Sequence, residues 1–509
     1  MDVILLDGSS LTLDLIVRIA DGIEPVGLAS EAAARVDAAR RVVDRTAEGT
    51  DAVYGVNTGF GSLADVKIPP ESLGELQLNL LRSHAAGVGE PLPPRVVRAV
   101  IALRANVLAK GYSGVRRETL EALLGLLNTG VIPSVPSRGS VGASGDLAPL
   151  AHLALVLVGE GWVIDRVKTG GDVAGADALR AAGLAPVTLQ PKEGLALING
   201  TQPSTAVLAL ALADALRLAR AADIAAALTV DGLRGSRRPF EPRIHEARPF
   251  DGQRTSASNL WRLLDGSAIN KSHEHCGQVQ DPYSLRCAPQ VHGAARDALA
   301  FVRRTVEVEA NAATDNPMVF AVEGEVVSGG NFHGAPVAVA ADLAAIAVAQ
   351  LATISERRSD RLLNPALSGL APFLTRQSGL HSGLMMAQVT AAALVSEIKT
   401  LAHPASVDTI PTSAGREDHV SMSMGAALKA ARAVALARDV VAVELLCACQ
   451  AIDLLAPLQT SPALARVHAR VRETVPALGA DRPPSPDIAA IGAALASGVL
   501  EHACPMDVK

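Results

Sequence analysis

The feature that most constrains this chain is a set of long Ala/Leu-rich stretches beyond Pro203: Ser204 to Val230, Ala294 to Ala312, Ala335 to Arg361, Ala387 to Leu401 and Ala426 to Leu455. Apolar positions recur in them at helical spacing, and their length decides for helix over strand, because strands seldom exceed about ten residues. Several outrun an ordinary globular helix, so they predict a bundle in which each helix buries its apolar face against the others. Apolar residues make up 49% of the chain but aromatics only 2%, which leaves Ala, Leu and Val to fill the interior and suits closely packed helices. The most apolar runs, Ala206 to Leu228 and Ala335 to Thr353, are broken by Asp214, Arg217, Arg220 and Asp223, or by Asp342 and Gln350. An Asp or Arg at a bilayer centre costs about 2.5–3.5 kcal/mol, so these runs read as buried bundle helices and not as membrane spans. The expected fold class is mainly α, with a long-helix bundle region over residues 204–509. A loop-rich N-terminal region over residues 1–203 precedes it, where Ile68-Pro69-Pro70, Pro91-Leu92-Pro93-Pro94 and Ile132-Pro133-Ser134-Val135-Pro136 punctuate helix-length patterns.

A formal net charge of -6 with mixed signs, and no Lys/Arg block, argue against a nucleic-acid surface and leave small metabolites as the better candidate partners. Met1 to Leu15 carries Asp2, Asp7 and Asp14 and lacks the basic and apolar regions of a signal peptide, so it is expected to stay in the mature protein. Cys276, Cys287, Cys447, Cys449 and Cys504 are an odd and sparse set for this length, which points to a reduced, cytoplasmic protein. Cys447 and Cys449 lie on an apolar helix and read as buried thiols.

The segment that carries chemistry is Gly139-Ser140-Val141-Gly142-Ala143-Ser144-Gly145-Asp146-Leu147-Ala148-Pro149-Leu150. Small residues at 142–145 let the backbone fold tightly enough for the Gly145 nitrogen to approach the Ala143 carbonyl carbon. Cyclisation with loss of water, and conversion of Ser144 to a dehydro residue, would leave an electron-poor methylene. Standard side chains offer nucleophiles but few electrophiles, and a reaction that must activate an amine, or the acidity of a nearby carbon-bound hydrogen, calls for such a group. Asp146-Leu147-Ala148-Pro149-Leu150 reads as a helix start whose dipole favours negative charge on such a ring. On the segment alone, a Gly/Ser turn capping a helix explains the residues as well. A nucleophile elbow does not, since it requires Gly where Asp146 stands, and neither a dinucleotide loop nor a P-loop can be placed here.

Ala143-Ser144-Gly145-Asp146-Leu147 resembles the self-processing segment of the ammonia-lyases that carry a methylidene-imidazolone (MIO) group. The resemblance continues through Tyr54-Gly55-Val56-Asn57-Thr58-Gly59-Phe60-Gly61, Ser83-His84-Ala85-Ala86-Gly87-Val88-Gly89, Leu197-Ile198-Asn199-Gly200-Thr201-Gln202 and Gln280-Asp281-Pro282-Tyr283-Ser284-Leu285-Arg286-Cys287. It extends to Thr314-Asp315-Asn316-Pro317, Gly329-Gly330-Asn331-Phe332-His333-Gly334 and Glu417-Asp418-His419-Val420-Ser421-Met422, in family order over nearly the whole chain. Ser83-His84, His403-Pro404-Ala405-Ser406-Val407-Asp408 and Glu417 look like the histidine-acting branch. Phenylalanine enzymes usually have an apolar pair at the first site and Gln at the last. A polar His/Glu pocket suits an imidazole, with its ring N–H and acceptor, and a phenyl ring would leave those groups unpaired.

The resemblance implies a homotetramer whose active sites combine loops from several subunits, an MIO group formed from Ala143, Ser144 and Gly145, and elimination of ammonia from L-histidine to give trans-urocanate. It assigns Asn199 and Arg286 to the substrate carboxylate, Tyr54 and Tyr283 to proton transfer, and His84, Gln280, Phe332 and Glu417 to the walls of the site. Taken alone, the two tyrosines also read as core residues and Arg286 as a salt-bridge partner. The rival functions are a tyrosine or phenylalanine ammonia-lyase, a 2,3-aminomutase, and a non-catalytic helical assembly protein. Some residues depart from the family pattern. Arg416 stands where Gln is usual, beside Gly415, and could pair with Glu417 and weaken its hold on an imidazole. Ile398, Arg82 and His381 also differ. Ser272-His273-Glu274-His275-Cys276 gathers potential metal ligands but lacks the H-E-x-x-H spacing, so no metal is expected.

Overall fold

The computed structural model describes residues 3–60, 66–165, 171–274, 277, 279–504 and 507–509. It is mainly helical, and its longest helices are Gln202–Gly232, Ala288–Ala310, Ala335–Leu363 and Ser423–Leu454. The described residues divide into two compact units that interleave along the chain. The first comprises Met1–Leu210, Arg303–Asp342 and Pro404–Leu428, the second Ala211–Val302, Leu343–His403 and Lys429–Lys509.

In the first unit, helix Pro94–Ala109 starts on a proline, whose missing N–H costs nothing in a first turn, and is buried at Val97 and continuously from Ala99 to Ala109. Two polar residues, Arg104 and Asn106, lie inside that buried run. Helix Leu147–Leu157 is nearly all apolar and buried from Ala148 onward except at His152, so both helices serve as core. Short two-stranded sheets bring motif blocks together. Val88–Pro91 pairs antiparallel with Pro136–Arg138, setting Val88 opposite Arg138, and the Gly87 N–H donates to His152 Nε2 at 3.0 Å. The Ser83–Gly89 block thus lies beside the segment that opens at Gly139. Met318–Phe320 pairs antiparallel with Glu325–Val327 and delivers the chain to the Ser328–Gly334 loop.

The second unit is built on the Ala-, Leu- and Val-rich faces foreseen from periodicity, with Ala222, Ala225, Ala226, Leu228, Val348, Leu351, Val440 and Val443 fully buried. Small side chains let helix axes approach to about 8–10 Å. Among the described residues one helix, Ala335–Leu363, is long and apolar enough to cross a bilayer, but 67% of its apolar window is buried inside the protein, as in a core helix. Of the Ser272–Cys276 cluster, His275 and Cys276 lie outside the described residues.

Candidate active site

The segment 139–146 is a tight turn running into helix Leu147–Leu157, with Asp146 at its N-cap. Gly142 and Gly145 have φ of +66° and +69°, where a Cβ is disfavoured. Space forbids one as well: a side chain on Gly145 would run into the Gly200 carbonyl, and one on Gly142 into the hydroxyls of Ser421 and Ser423. The turn is pinned from three sides. The Asp146 N–H donates to Gly200 O at 2.8 Å, the Met422 N–H to Val141 O at 2.7 Å, and Ser421 Oγ to Gly142 O at 2.8 Å. Asn199 Nδ2 donates to both the carbonyl and the hydroxyl of Ser144, at 2.9 and 3.0 Å. Asn199 is 1% exposed, and its Oδ1 has no partner among the described residues.

Beneath the turn, Asp146 accepts from Ser140 Oγ at 2.6 Å and from the Ser204 N–H at 2.8 Å, near the start of helix Gln202–Gly232. Burial raises its carboxyl above the usual range, and the two serines oppose that shift. Glu309, on Thr201 Oγ1 at 2.5 Å, is raised by burial and secondarily by the charge of Asp146.

A cavity of about 640 Å³ opens over Ser144. Tyr54, Ala143, Ser144, Phe332 and Glu417 line it, five of the residues assigned from sequence. Tyr54 stands in the turn that follows helix Ser30–Glu48, edge-on to Phe60 at 6.3 Å between ring centroids. Gly55, at φ +76°, leaves no room for a side chain against Leu195 and Pro317, which fixes that turn.

Glu417 is held by hydroxyls. Its Oε2 accepts from Thr412 Oγ1 at 2.5 Å and Ser413 Oγ at 2.9 Å, while its Oε1 has no partner among the described residues. Arg416 also lines the cavity, yet no ion pair joins it to Glu417 among the described residues. The carboxylate instead meets the Ser413 hydroxyl, in a turn where Ser413 and Ala414 take φ of +50° and +55°.

His84 ends helix Leu73–His84, with Nδ1 2.9 Å from Leu80 O. Burial lowers its pKa, against the backbone contact to Leu80 and the charge of Glu417. It is not among the residues lining the cavity, although the charge of Glu417 reaches it.

Gln280, Tyr283 and Arg286 belong to the second unit. Tyr283 and Arg286 open and close a four-residue helix, with the guanidinium 4.7 Å from the phenol ring centroid, and Tyr283 is 68% exposed. His333 and His419 were not singled out from sequence, but they line the cavity as a stacked pair 5.8 Å apart. Both lie inside motif blocks, which was the available signal. Arg104 was missed too; a lone charge in the apolar run Val100 to Ala109 was its signal.

The profile of the aromatic amino acid lyase family matches residues 11–473. The histidine ammonia-lyase of Anaeromyxobacter dehalogenans (strain 2CP-C) is 57% identical over 509 residues, covering 98% of this chain and 100% of that protein. The crystal structure of histidine ammonia-lyase from Trypanosoma cruzi superposes with a TM-score of 0.92 at 45% identity, over 100% of this chain and 96% of that one. Tyrosine aminomutase from Streptomyces globisporus superposes with a TM-score of 0.94 at 39% identity, over 100% of both chains. Backbone likeness is thus shared by enzymes named for different reactions. Agreement in sequence over the whole length, together with the turn around Ser144, places this protein: the chain belongs to the aromatic amino acid lyase family.

Proposed function

We propose that this protein eliminates ammonia from L-histidine, giving trans-urocanate, at the cavity over Ser144. The observation that carries the substrate is the carboxylate of Glu417, fixed through Oε2 by two hydroxyls with Oε1 left for a ring N–H. A site that hydrogen-bonds a substrate N–H can reject an analogue lacking it by about 10⁴-fold, far more than an apolar pocket achieves. His84 lies outside the cavity wall, within reach of the charge of Glu417, and is the second polar residue of this reading.

Ala143, Ser144 and Gly145 fit an MIO group: the glycines at 142 and 145 allow the turn, and Asn199 already grips Ser144 by both oxygens. That ring supplies an electron-poor carbon that makes the departing ammonia a better leaving group. The chain's own residues bind and move protons around it. Asn199 and Arg286 hold the substrate carboxylate, the latter through its bidentate fork. Tyr54 and Tyr283 transfer protons at the reacting carbon and nitrogen, and Phe332 and Gln280 wall the site. In a homotetramer whose sites combine loops from several subunits, the Tyr283–Arg286 helix, with its exposed Tyr283, together with Gln280, is the part offered to a neighbouring subunit's cavity. Cys287, Cys447 and Cys449 are free thiols, which suits work in the reducing cytoplasm.

The test is steady-state turnover of histidine, tyrosine and phenylalanine by the purified protein, with the mass of the peptide carrying Ser144. Histidine is expected to be preferred and the peptide to be lighter by two waters. Faster turnover of tyrosine would overturn the substrate, and an unmodified peptide in active protein would overturn the MIO assignment.

A further inference from the structure

The backbone that grips Ser144 is itself held by a buried cation. Arg104 is fully buried in helix Pro94–Ala109, and its guanidinium donates to the carbonyls of Ala196 and Asn199, the latter at 2.8 Å, and to Gln202 Oε1 at 2.6 Å. Gln202 Nε2 donates onward to Thr314 Oγ1 at 2.6 Å. Gly200 packs against the same guanidinium: a Cβ there would lie 2.5 Å from Arg104 Nη1, from Gln202 Oε1 and from the Thr314 carbonyl. At the far end of the short helix Glu193–Ile198, the buried Lys192 donates to Asp315 at 3.2 Å. Both ends of the helix leading to Asn199 are therefore tied to buried cations.

No carboxylate hydrogen-bonds to Arg104 among the described residues, and burial lowers its pKa to about 10 while the charge of Asp315 opposes this. A cation buried at such cost, with its donors on main-chain carbonyls, fixes a backbone more than it balances a charge. The backbone it fixes is the one whose side chain and carbonyl hold Ser144 and Asp146.

We infer that Arg104 is a positioning residue for the self-processing of Ala143-Ser144-Gly145, holding Asn199 and Gly200 where they clamp the turn while the ring closes; this rests on the MIO reading above. In that closure the Gly145 nitrogen bonds to the Ala143 carbonyl carbon, and its proton passes to the carbonyl oxygen. That oxygen leaves as water with the Ser144 amide proton. The Ser144 Cα hydrogen and Oγ hydroxyl leave as a second water, and no oxidant or reductant is needed. Asn199 Nδ2, on the Ser144 carbonyl and hydroxyl, draws electrons from the carbonyl that acidifies the Cα hydrogen and from the departing hydroxyl. A small shift of Asn199 removes both effects.

The experiment measures the processed-to-unprocessed ratio of the Ser144 peptide by mass, and the thermal unfolding midpoint, in full-length wild type, Arg104→Lys and Arg358→Lys. Arg358 is an equally buried arginine of the second unit, paired with Glu444. Arg104→Lys is expected to lower the ratio by about tenfold, as losing one charge-assisted hydrogen bond would slow a step. Arg358→Lys is expected to lower the unfolding midpoint as much, with the ratio unchanged. Full processing in Arg104→Lys, or equal loss of processing in both variants at matched midpoints, overturns the proposal. Should Arg104→Lys yield no folded protein, Gln202→Met removes a single acceptor and is read the same way, an unchanged ratio again overturning it. Unprocessed peptide in active wild type instead defeats the MIO reading itself, so the two failures are distinguishable.

Discussion

In the second unit the buried ions face one another. Arg358 donates to both oxygens of Glu444, at 2.5 and 2.8 Å, and Asp223 is shared by His292, Arg296 and Asn259 at 2.7–2.9 Å. In the first unit Lys192 and Asp315 form one such pair, but around the turn Arg104, Asp146 and Asn199 reach main chain instead, at Ala196, Asn199, Ser204 and Ser144. One pattern closes on itself and leaves bundle helices locked together. The other locks a turn and leaves two atoms without a partner among the described residues, the buried Asn199 Oδ1 and, in the cavity wall, Glu417 Oε1. Buried polarity serves cohesion in the first case and chemistry in the second.

The largest effect that contrast predicts is at Ser144. Ser144→Ala is expected to abolish turnover and the two-water mass loss while shifting stability by less than about 0.5 kcal/mol, because a small side chain is exchanged for a smaller one. Retained activity would return the segment to a plain helix-capping turn. The converse experiment is Arg358→Met, which strands the Glu444 carboxylate and is expected to cost about 3–5 kcal/mol in denaturant unfolding. Activity per folded molecule should fall far less than with Ser144→Ala, because Arg358 reaches the Tyr283–Arg286 helix only through the Ser284 carbonyl, 3.5 Å from its Nη1; a collapse of specific activity would break the separation of roles.

Next comes substrate choice. Glu417→Gln with His84→Phe is expected to lower kcat/KM for histidine by about a hundredfold or more, as loss of a charged hydrogen-bond partner does, and to change phenylalanine turnover much less. Equal losses on both substrates would assign these residues to structure. In the second unit, burial raises Asp231 to a pKa of about 6, against the opposing hydroxyls of Thr460 and Ser267. A folded-state pKa above the unfolded value of about 3.9 lends stability that is full below about pH 4 and is lost as pH rises through about 6. Asp231→Asn does not titrate, so its stability relative to wild type should improve by about 2 kcal/mol from pH 4 to pH 8. A constant difference across that range would show that Asp231 ionises freely.

Much of the fold was legible because burying a helix face imposes a period. Ser204 to Val230 became helix Gln202–Gly232, and Ala335 to Arg361 became Ala335–Leu363. The site was legible only as motif blocks, and five of its residues do share one cavity. Local pattern carries no information about long-range return of the chain, so the interleaving of Arg303–Asp342 and Pro404–Leu428 into the first unit was not foreseen. Nor was Arg104, whose carbonyl partners lie 92 and 95 residues away. The positive φ at Ser413 and Ala414 was equally hidden, since neither residue type favours that conformation.

That last feature sets the smallest predicted effect. From sequence, Arg416 stood to neutralise Glu417 and turn the pocket toward a phenol. In the folded chain the carboxylate is satisfied at Oε2 by Thr412 and Ser413, and the exposed guanidinium beside it is screened by water. An exposed charge not in contact contributes about 0–1 kcal/mol, so Arg416→Gln should change kcat/KM for histidine by less than about fivefold. The ratio of histidine to tyrosine turnover should move equally little. Ser413→Ala, by contrast, removes one of the two hydroxyls that keep Glu417 from the guanidinium and should affect histidine turnover more than Arg416→Gln does. The comparison is kcat/KM for both amino acids at low and high salt. A large, salt-sensitive gain in histidine turnover by Arg416→Gln would show that the arginine does engage Glu417, and the hydroxyl clamp would then lose its place as the device that keeps this carboxylate free.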